Sequence, residues 1–445
     1  MKQVLIIPGN TDLNRGDQAL VWESIRLVED VYGKENVSCF LMTDLYGRDA
    51  YLQNRQTKKL GYRFINTLLK HPGRKFQNKV EDSKGYSKIT LAKWGWQAFW
   101  DFFHTRLLLS QSKFLRSIGE SFLTLNEKET LNVIKTIDVV FVKGGGFIHS
   151  YGGITDPYFI YFLTFHLRLA EAYGKKVVML PNSVGPLKNS IARKIAIKAL
   201  KKCSLVTVRE NLSKSFLKTL GIEASCYPDL GFFLQPSEYE METYLKQHGI
   251  PKNQKKIVLT LRPYRFTGYD HPNELFEKYI SSFVEFVQYL VAEGYHITFM
   301  AHTLGPSSHE NDSIAIRNVL EALPNYIHKE ISYIEDSELN CRDIEKLYSY
   351  YDYMIGTRFH SVIFSLNVNV PSIAIAYGGN KGRGIMEFLD NGEFSIDMDK
   401  VTDSILISTF ENLKANRENY LANLSEKLSL IKDERERLVE AIRNI

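Results

Sequence analysis

Arg358 and His360 stand two residues apart, directly after a short apolar run that ends in Gly356-Thr357. Arginine offers a planar fork of donors to a carboxylate or phosphate, and histidine can exchange a proton near neutral pH. A helical pattern begins here, and a helix amino terminus adds a positive partial charge. The pattern predicts an anion site with a proton-transfer group beside it. The alternative is structural: Arg358 pairs with a neighbouring carboxylate, and His360 is a hydrogen-bonded core histidine.

Other cations and glycines are predicted at the same place. The next apolar run, Ser372 to Ala376, leads to Lys381 and to Gly378, Gly379, Gly382 and Gly384. Arg262, which follows the run Ile257 to Leu261, is the best additional anion ligand. Ligands of open α/β sheets bind beyond the carboxyl ends of parallel strands, so these residues are expected at one edge.

Polar residues also follow the apolar runs of the first half. Lys143 to His149 holds three consecutive glycines, which either let backbone amides approach a ligand or form a tight turn. Asn182 to Pro186 and Arg209-Glu210 are expected at strand ends. The turn from Pro8 to Leu20 has Asp17 as a helix cap but lacks both GxGxxG and GK[ST]. It is therefore neither a dinucleotide fingerprint nor a P-loop.

The elements that position these residues alternate between short β-branched runs and amphipathic helical patterns, which indicates parallel sheets covered on both faces. We predict two doubly wound, Rossmann-like α/β domains facing a cleft, at residues 1–235 and 236–400, and a helical tail at 401–445 that packs back across them. Strands are predicted near Val4 to Pro8, Val37 to Met42, Val139 to Val142, Val177 to Leu180, Leu205 to Val208, Ile257 to Leu261, His296 to Ala301, Tyr353 to Ile355 and Ser372 to Ala376. Helices are predicted near Glu274 to Glu293, His309 to Leu323 and Cys341 to Ser349.

Composition places the chain among ordinary globular proteins. Its 445 residues are 44% hydrophobic and 24% charged, enough for two cored domains. The first apolar run is too short for a signal peptide or membrane span, so a cytoplasmic location is expected. Four scattered cysteines without CxxC pairing indicate neither a disulfide framework nor a zinc site, and they are interpreted as buried thiols. No metal site is predicted.

One insertion, residues 50–130, departs from this pattern. Between Tyr51 and Glu120 there are fourteen Lys and Arg against four Asp and Glu, and Trp94, Trp96 and Trp100 lie there with Phe99, Phe102 and Phe103. Aromatic rings beside cations are typical of surfaces that dock on anionic headgroups, which predicts peripheral membrane contact through residues 50–120, at the inner face of the plasma membrane. The alternative is a helical insertion that packs its aromatic residues against the first domain. Nucleic acid is not expected, because no recognisable binding module surrounds the segment.

The order of the motifs resembles the polysaccharide pyruvyl transferase family over nearly the whole chain. The shared motifs are the Gly16-Asp17-x-Ala-Leu turn, Gly144-Gly-Gly, Asn182-Ser-x-Gly-Pro, Val208-Arg-Glu, Pro228-Asp229, Gly356-Thr-Arg-x-His and Tyr377 to Lys381. The chain departs from the family in its opening turn, where Thr11 to Arg15 is inserted and Gln18 replaces an acid. The resemblance implies a GT-B-like fold and transfer of pyruvate from phosphoenolpyruvate to two hydroxyls of a sugar, with release of phosphate.

By the same resemblance, the second domain binds the donor and the first binds the acceptor, a lipid-linked capsule, exopolysaccharide or cell-wall precursor. His360, Arg358 and Lys381 are the implied catalytic residues. The implied donor-binding residues are Arg262, Gly356, Thr357, Arg358, Gly378, Gly379 and Lys381. The implied acceptor-binding residues are Asn10, Asp17, Gly145, Gly146, His149, Asn182, Arg209 and Glu210.

No cofactor is expected beyond phosphoenolpyruvate as co-substrate. His149, His302 and Glu210 are further candidates for proton transfer. Two other functions fit the same residues: a GT-B glycosyltransferase that uses a nucleotide sugar, and a non-catalytic protein of polysaccharide assembly. The sequence does not determine the sugar, the hydroxyl pair or the oligomeric state.

Overall fold

The computed structural model describes residues 1–9, 12–45, 47–69, 88–305, 310–377 and 381–445, with the side chains of 47–49, 88, 90, 91 and 381–383 left out. The chain forms two compact units. The first comprises Met1–Asn10, Leu20–Leu230 and Glu434–Ile445, and the second comprises Thr11–Ala19 and Gly231–Asp433. The turn after the first strand is therefore grouped with the C-terminal half of the sequence.

The first unit is built on a parallel sheet of eight described strands, five of which follow the predicted runs. Their order is β3-β2-β1-β4-β6-β7-β8, and β5 pairs with β6. The strands are β1 (Lys2–Ile7), β2 (Val37–Thr43), β3 (Arg63–Asn66), β4 (Val139–Val142), β5 (Gly145–Ser150), β6 (Lys176–Leu187), β7 (Leu205–Val208) and β8 (Ser225–Cys226). All four residues of β4 are buried, as expected for a central strand covered on both faces.

Two sequence predictions need correction in this sheet. Gly145 and Gly146 do not lie in a loop, because they begin β5, which pairs with the second half of β6 through Gly145 and Asn182. Asn182 to Pro186 lie inside β6 rather than after it. Strand β6 is long because β4 pairs with its first residues and β5 continues along the rest.

The second unit has a six-stranded parallel sheet in its described residues, with the order β11-β10-β9-β12-β13-β14. The strands are β9 (Lys256–Thr260), β10 (His296–Met300), β11 (Ile331–Ile334), β12 (Tyr353–Gly356), β13 (Ser372–Ala376) and β14 (Ser395–Asp397). The four predicted strands form its centre, and β11 and β14 are its edges. The prediction of two doubly wound parallel-sheet domains is confirmed.

Helices connect the strands in both units. Those of the first part of the chain are α1 (Arg15–Tyr32), α2 (Gly47–Lys59), α3 (Lys88–Leu108), α4 (Lys113–Ser121), α5 (Leu125–Thr136), α6 (Asp156–Ala172), α7 (Ser190–Leu200) and α8 (Asn211–Thr219). The others are α9 (Glu242–Gln247), α10 (Pro272–Ala292), α11 (Ser313–Ala322), α12 (Cys341–Tyr348), α13 (Phe359–Asn367), α14 (Lys381–Phe388), α15 (Asp403–Ala415) and α16 (Arg417–Arg443). Short 3₁₀ turns lie at Lys34–Asn36, Leu230–Phe233, Asn325–Glu330, Gly392–Phe394 and Met398–Lys400.

The C-terminal tail is helical, as predicted, and consists of α15 and α16. Leu424 and Ile431 of α16 are buried in the second unit, and Leu438 and Ile442 are buried in the first. In the first unit, Arg443 donates a hydrogen bond to the backbone oxygen of Asp30 at 2.6 Å. None of the helices in the described ranges is long and apolar enough to cross a membrane.

Candidate active site

Four neighbouring strands of the second sheet end at one edge, where the predicted anion site lies. Arg262 follows β9, His302 follows β10, Arg358 and His360 follow β12, and Tyr377 follows β13. Because the strands are parallel and adjacent, their carboxyl ends lie side by side. The structure therefore places Arg262, Arg358 and His360 at the edge where the sequence predicted them.

Arg358 is buried and ion-paired. Its Nε and Nη2 donate to Oδ1 of Asp312 at 2.7 and 2.5 Å, and Nη2 also donates to the backbone oxygen of Glu310 at 2.8 Å. Asp312 Oδ2 accepts the backbone N–H groups of His302 and Thr303 at 3.0 and 2.9 Å. Burial is the largest single influence and acts to lower the pKa of Arg358, but the charges of Asp312, Tyr377 and Glu310 and the hydrogen bond to Asp312 together raise it. The guanidinium is thus a fixed cation with part of its donor set already used.

Gly356 and Thr357 hold the backbone around this arginine. Thr357 Oγ1 donates to the backbone oxygen of Thr260 at 2.9 Å and accepts the backbone N–H of Arg262 at 2.8 Å. A Cβ added to Gly356 would lie 2.6 Å from Cγ2 of Val362 in α13. These two residues therefore join the ends of β9 and β12 and let α13 pack closely, which positions the cations that follow.

Arg262 carries a guanidinium that lies beside two tyrosine rings. Its Cζ is 3.8 Å from the ring centroid of Tyr377 and 5.5 Å from that of Tyr264. Across the described ranges of the chain, this guanidinium makes no hydrogen bond or ion pair, and its Nε is buried without a partner. The aromatic faces hold the cation without neutralising it. The donors of its two Nη groups are therefore the ones available to an anionic ligand.

The first turn of α1 belongs to the second unit and is held there by two polar side chains. Arg15 is fully buried; it donates to the backbone oxygen of Asp12 through Nη1 and to that of Asp336 through Nη2, the latter at 3.1 Å. Burial lowers the pKa of Arg15 to about 10, so the group stays charged at neutral pH. Gln18 donates to Asp12 Oδ1 at 3.0 Å and accepts the backbone N–H of Cys341, the first residue of α12, at 2.7 Å. The departure at Gln18 thus has a structural role, because it accepts an N–H at the start of α12, whose N-cap is Asn340.

The imidazole of His360 lies against this turn. A Cβ added to Gly16 would be 2.3 Å from Nδ1 and 2.5 Å from Cγ of His360. On another side, the Phe359 ring meets the imidazole edge-on, with centroids 5.2 Å apart. His360 is partly buried, and its Nε2 has almost no accessible surface. The ring is held in place by backbone that offers no room for a side chain.

His302, at the end of β10, has a different environment. It is buried, and its Nδ1 lies 3.3 Å from the Tyr348 hydroxyl. Its Nε2 has no hydrogen-bond partner in the part of the chain that the structure describes. Burial, and then the charges of His360, Arg358 and Arg15, hold the pKa of His302 well below its ordinary value. His302 is therefore neutral at physiological pH, and His360 is the better candidate for donating a proton.

In the first unit, Asn182 is fully buried at the centre of the sheet. Its Nδ2 donates to the backbone oxygens of Lys143 and Leu180 at 2.8 and 2.9 Å. Its Oδ1 is buried and accepts no hydrogen bond from any described residue. Gly145 lies opposite with a φ of 153°, and a Cβ there would be 3.8 Å from this oxygen. Asn182 therefore ties β4 to β6 and retains one unused acceptor.

Arg209 and Glu210, at the end of β7, belong to a buried polar network. Arg209 Nη1 pairs with Asp229 Oδ2 at 2.5 Å, and its Nε donates to Ser183 Oγ at 2.7 Å. Glu210 accepts from Ser183 at 2.8 Å and from Ser213. The residues of these family motifs in the first unit thus form hydrogen bonds and an ion pair with one another. These contacts hold the chain in place where it leaves β6 and β7.

The other predicted acceptor residues do not form one cluster with these. His149 lies near the end of β5, with Nδ1 3.1 Å from the backbone oxygen of Gly146 and its ring 5.1 Å from that of Tyr151. Asp17 belongs to the second unit, where Asn14 donates to its Oδ2 at 2.8 Å.

Some predicted site residues cannot be placed. Asn10, Gly378 and Gly379 lie outside the described residues. Lys381 begins α14, but its side chain is also outside them. Among the residues that are described, no group of three or more His, Cys, Asp or Glu side chains is arranged to hold a metal ion.

Sequence reasoning missed two residues that define the site. Asp312, the partner of Arg358, is 46 positions away in the chain, and its sequence context gives no signal beyond that of a helix cap. Gly16 was noted as part of a motif, but its contact with His360 was not foreseen. Tyr264 and Tyr377 were more accessible to prediction, because each stands near a cation at a strand end.

The sequence matches known proteins of polysaccharide biosynthesis. Residues 14–379 match the family described as Polysaccharide pyruvyl transferase. The amylovoran biosynthesis protein AmsJ of Erwinia amylovora is 25% identical over 296 residues, which covers 64% of this chain and 67% of AmsJ.

Solved structures with similar folds include nucleotide-sugar enzymes. The UDP-GlcNAc 2-epimerase of Neisseria meningitidis bound to UDP-GlcNAc has a TM-score of 0.58 at 11% identity, with 100% of both chains covered. MnaA of S. aureus with UDP gives 0.57 at 12% identity, covering 100% of this chain and 96% of MnaA. The trehalose-6-phosphate synthase OtsA has a TM-score of 0.54 at 12% identity, with 100% of this chain and 99% of OtsA covered. At these identities the likeness shows a GT-B-like fold alone, and the match over residues 14–379 shows that this chain belongs to the polysaccharide pyruvyl transferase family.

Proposed function

We propose that the protein transfers pyruvate from phosphoenolpyruvate to two hydroxyls of a sugar and releases phosphate. The observation that carries the donor assignment is the Arg262 guanidinium, which is fixed by Tyr264 and Tyr377 and is not neutralised by any described residue. It lies at the sheet edge that also holds Arg358 and His360. Membership of the family supports pyruvate as the transferred group. The cations at this edge support phosphoenolpyruvate, an anion, as its donor.

The charges at this edge suit phosphoenolpyruvate. The molecule carries a phosphate and a carboxylate, and a charge-assisted hydrogen bond to either contributes about 1.5–3 kcal/mol. Arg262 offers an unused guanidinium, and the amino terminus of α13 begins directly after Arg358. A helix amino terminus favours an anion through its exposed N–H groups. Lys381, by resemblance, is the further proposed phosphate ligand.

The reaction follows from the electron distribution of an enol phosphate. A proton adds to the methylene carbon, which leaves a positively charged carbon next to the phosphate oxygen, and one sugar hydroxyl attacks that carbon and loses its proton. Phosphate then departs with the electron pair of its C–O bond. The second hydroxyl attacks the same carbon and loses its proton, which closes the cyclic ketal. One proton enters the methyl group, and the two hydroxyls release two protons. The proton in excess is taken up by phosphate or solvent.

His360 is the proposed proton donor to the methylene carbon. It follows β12 at the same sheet edge as Arg262, and its orientation is fixed by Gly16 and Phe359. A positioned acid or base typically contributes a factor of about 10²–10⁴ in rate. His302 is neutral because of its burial, so the neighbouring imidazole does not compete for that role.

The acceptor is proposed to be a lipid-linked sugar of a polysaccharide precursor. The support is the family and the likeness to a protein named for amylovoran biosynthesis. The roles of Gly145, Gly146, His149, Asn182, Arg209 and Glu210 in holding it are predictions from resemblance. The buried unused acceptor of Asn182 is the structural feature that adds to them.

The test is to incubate the purified protein with phosphoenolpyruvate and a panel of free and lipid-linked galactosides, mannosides and N-acetylhexosamines. Phosphate release and a gain of one ketal-linked pyruvate in acceptor mass are expected with at least one acceptor. The His360→Ala protein should lose both while unfolding at the same denaturant concentration as wild type. If no acceptor gains mass and a nucleotide sugar is consumed in a parallel reaction, the donor assignment is wrong.

A further inference from the structure

Helix α3 has a partly polar buried side and exposes most of its large aromatic residues. The buried side carries Asp101 and Thr105 together with Leu108. Gln97 donates to Asp101 Oδ1 at 2.8 Å, the Tyr158 hydroxyl donates to Asp101 Oδ2 at 3.2 Å, and Thr105 Oγ1 lies 2.8 Å from the Tyr161 hydroxyl. A surface helix ordinarily buries its apolar stripe and exposes its polar one. In α3, hydrogen bonds to residues of α6 hold the helix in place, and the large aromatic side chains face outward.

The outward side of α3 is aromatic, and we call it the aromatic face. Its members, with exposed fractions of 71%, 61%, 46% and 52%, are Trp96, Phe99, Trp100 and Phe103. At 100° per residue these four positions fall within an arc of about 100° around the helix axis. Trp96 stacks on Phe99 and Trp100 on Phe103, with centroids 6.0 and 6.1 Å apart. Phe122, after α4, meets Trp100 edge-on at 6.4 Å and extends the face.

The exposed charges described in α3 and α4 around the aromatic face have one sign. Lys93 and Arg106 are exposed on the two flanks of the arc, and Lys113 is exposed at the start of α4. The acids described in α3 and α4 are not available to offset them. Asp101 is buried and accepts a hydrogen bond from α6. Glu120 accepts hydrogen bonds from Lys135 and Tyr173 at 2.8 Å each. The face is therefore complementary to a negatively charged surface.

We propose that the aromatic face docks on the anionic headgroups of a membrane surface, with α3 lying along that surface. Aromatic rings favour the boundary between hydrocarbon and headgroups, and flanking Lys and Arg pair with lipid phosphates. The 21 residues of α3 span about 31 Å, which presents the whole face in one plane. Docking between two copies would bring Lys93 and Arg106 of each against like charges, which is unfavourable. This inference does not depend on the chemistry of the donor site.

The tryptophans make docking directly measurable. Three of the four tryptophans lie in α3, and the fourth, Trp22, is buried. The full chain would be mixed with vesicles of phosphatidylcholine alone or with added phosphatidylglycerol, followed by flotation and emission spectra. The expected result is flotation with the anionic vesicles, a shift of emission to shorter wavelength, and loss of both in high salt.

Variants separate the aromatic contribution from the charged one. Trp96→Ser with Trp100→Ser should lower partitioning into anionic vesicles by at least about tenfold, because the buried apolar area is lost. Lys93→Gln with Arg106→Gln should lower it by about fivefold for each charge. The matched controls are Tyr239→Ser and Tyr326→Ser, which remove aromatic rings 77% and 71% exposed in the second unit and should leave partitioning unchanged.

Three results would overturn the proposal. The first is no flotation with either vesicle, and the second is flotation that the double tryptophan variant retains in full. The third is a wild-type dimer in solution that the same variant converts to a monomer while vesicle binding is absent, since this would assign the face to a second copy. Circular dichroism of each variant must match wild type. All four variant positions in α3 are exposed, so loss of folding is not expected.

Discussion

The backbone of Gly16 lies so close to the imidazole of His360 that a single added carbon would come within 2.3 Å of Nδ1. The turn that contains Gly16 is held in the second unit by Arg15 and Gln18, and Arg15 makes its contacts through a fully buried guanidinium. A part of the chain near its amino terminus thus sets the orientation of the proposed proton donor.

Gly16→Ala should displace the His360 ring and lower kcat by about 10²–10⁴, the contribution of a positioned acid or base. Alanine is a better helix former than glycine, which offsets part of the cost of the contact. The free energy of unfolding should therefore fall by much less than is needed to unfold the protein. Steady-state kinetics and urea unfolding of the same preparation measure the two effects. Gly95→Ala, at a helical position with no atom within 4 Å, is the control and should keep wild-type kcat. A Gly16→Ala enzyme with unchanged kcat would show that this contact does not position the catalytic group.

Arg262→Gln should raise the KM for phosphoenolpyruvate by about 10- to 100-fold, because a charge-assisted contact of about 1.5–3 kcal/mol is lost. The free energy of unfolding should change by less than about 1 kcal/mol, since the guanidinium makes only aromatic contacts with described residues. Arg317→Gln, at an exposed pair with Glu335, is the matched control and should leave KM unchanged. An unchanged KM in Arg262→Gln would remove this residue from the donor site.

Arg358→Met should destabilise the fold by about 3–5 kcal/mol, because it leaves the buried carboxylate of Asp312 without its cation. Asp312→Asn should be destabilising for the same reason, and the double variant should lose clearly less than the sum of the two. Urea unfolding of the four proteins completes the cycle. Additive losses would mean that the pair is not coupled. Loss of activity in Arg358→Met alone is therefore not evidence of donor binding.

The stability of the protein should fall between about pH 6.5 and pH 5 because of two buried histidines. The pKa of His302 is held well below its ordinary value, and burial lowers that of His166 to about 3. In this window the unfolded chain binds protons at both side chains and the folded chain does not. The free energy of unfolding should therefore decrease by roughly 1.4 kcal/mol per pH unit for each histidine.

Urea unfolding across that pH range measures this slope. His302→Gln should reduce the slope of unfolding free energy against pH by the contribution of one histidine. His166→Gln in the first unit should reduce it by the same amount. The exposed His271, replaced in the same way, should leave the slope as it is in wild type. A slope that neither buried substitution changes would assign the pH dependence to other groups.

The strands at the centre of each sheet were predictable because they are short, apolar and β-branched. Runs such as Leu205–Val208 and Ser372–Ala376 have no competing interpretation, and the structure keeps their bounds. The edge strands β3, β8, β11 and β14 were missed, since each is brief and carries polar residues. Strand β5 was mistaken for a loop because glycines are ordinarily depleted in strands. Its pairing with β6 stabilises it despite them.

The candidate site was predictable at the level of single residues but not of their partners. Arg262, Arg358 and His360 were identified by their types and by the strands before them, and the parallel sheet brings them to one edge. The contacts that decide their roles join distant parts of the chain. Asp312 pairs with Arg358 across 46 positions, and Gln18 accepts an N–H at the start of α12 across 323. Such contacts depend on the folded geometry and leave no local pattern.

The most direct test of pyruvyl transfer follows the carbon atoms of the donor. Phosphoenolpyruvate labelled with ¹³C at its second carbon would be reacted with the best acceptor in heavy water and the product examined by NMR and mass spectrometry. The account predicts that the label becomes a ketal carbon bonded to two acceptor oxygens, beside a methyl group that has gained one deuterium. Label that stays in phosphoenolpyruvate or appears only as free pyruvate, with every acceptor tried, would contradict it.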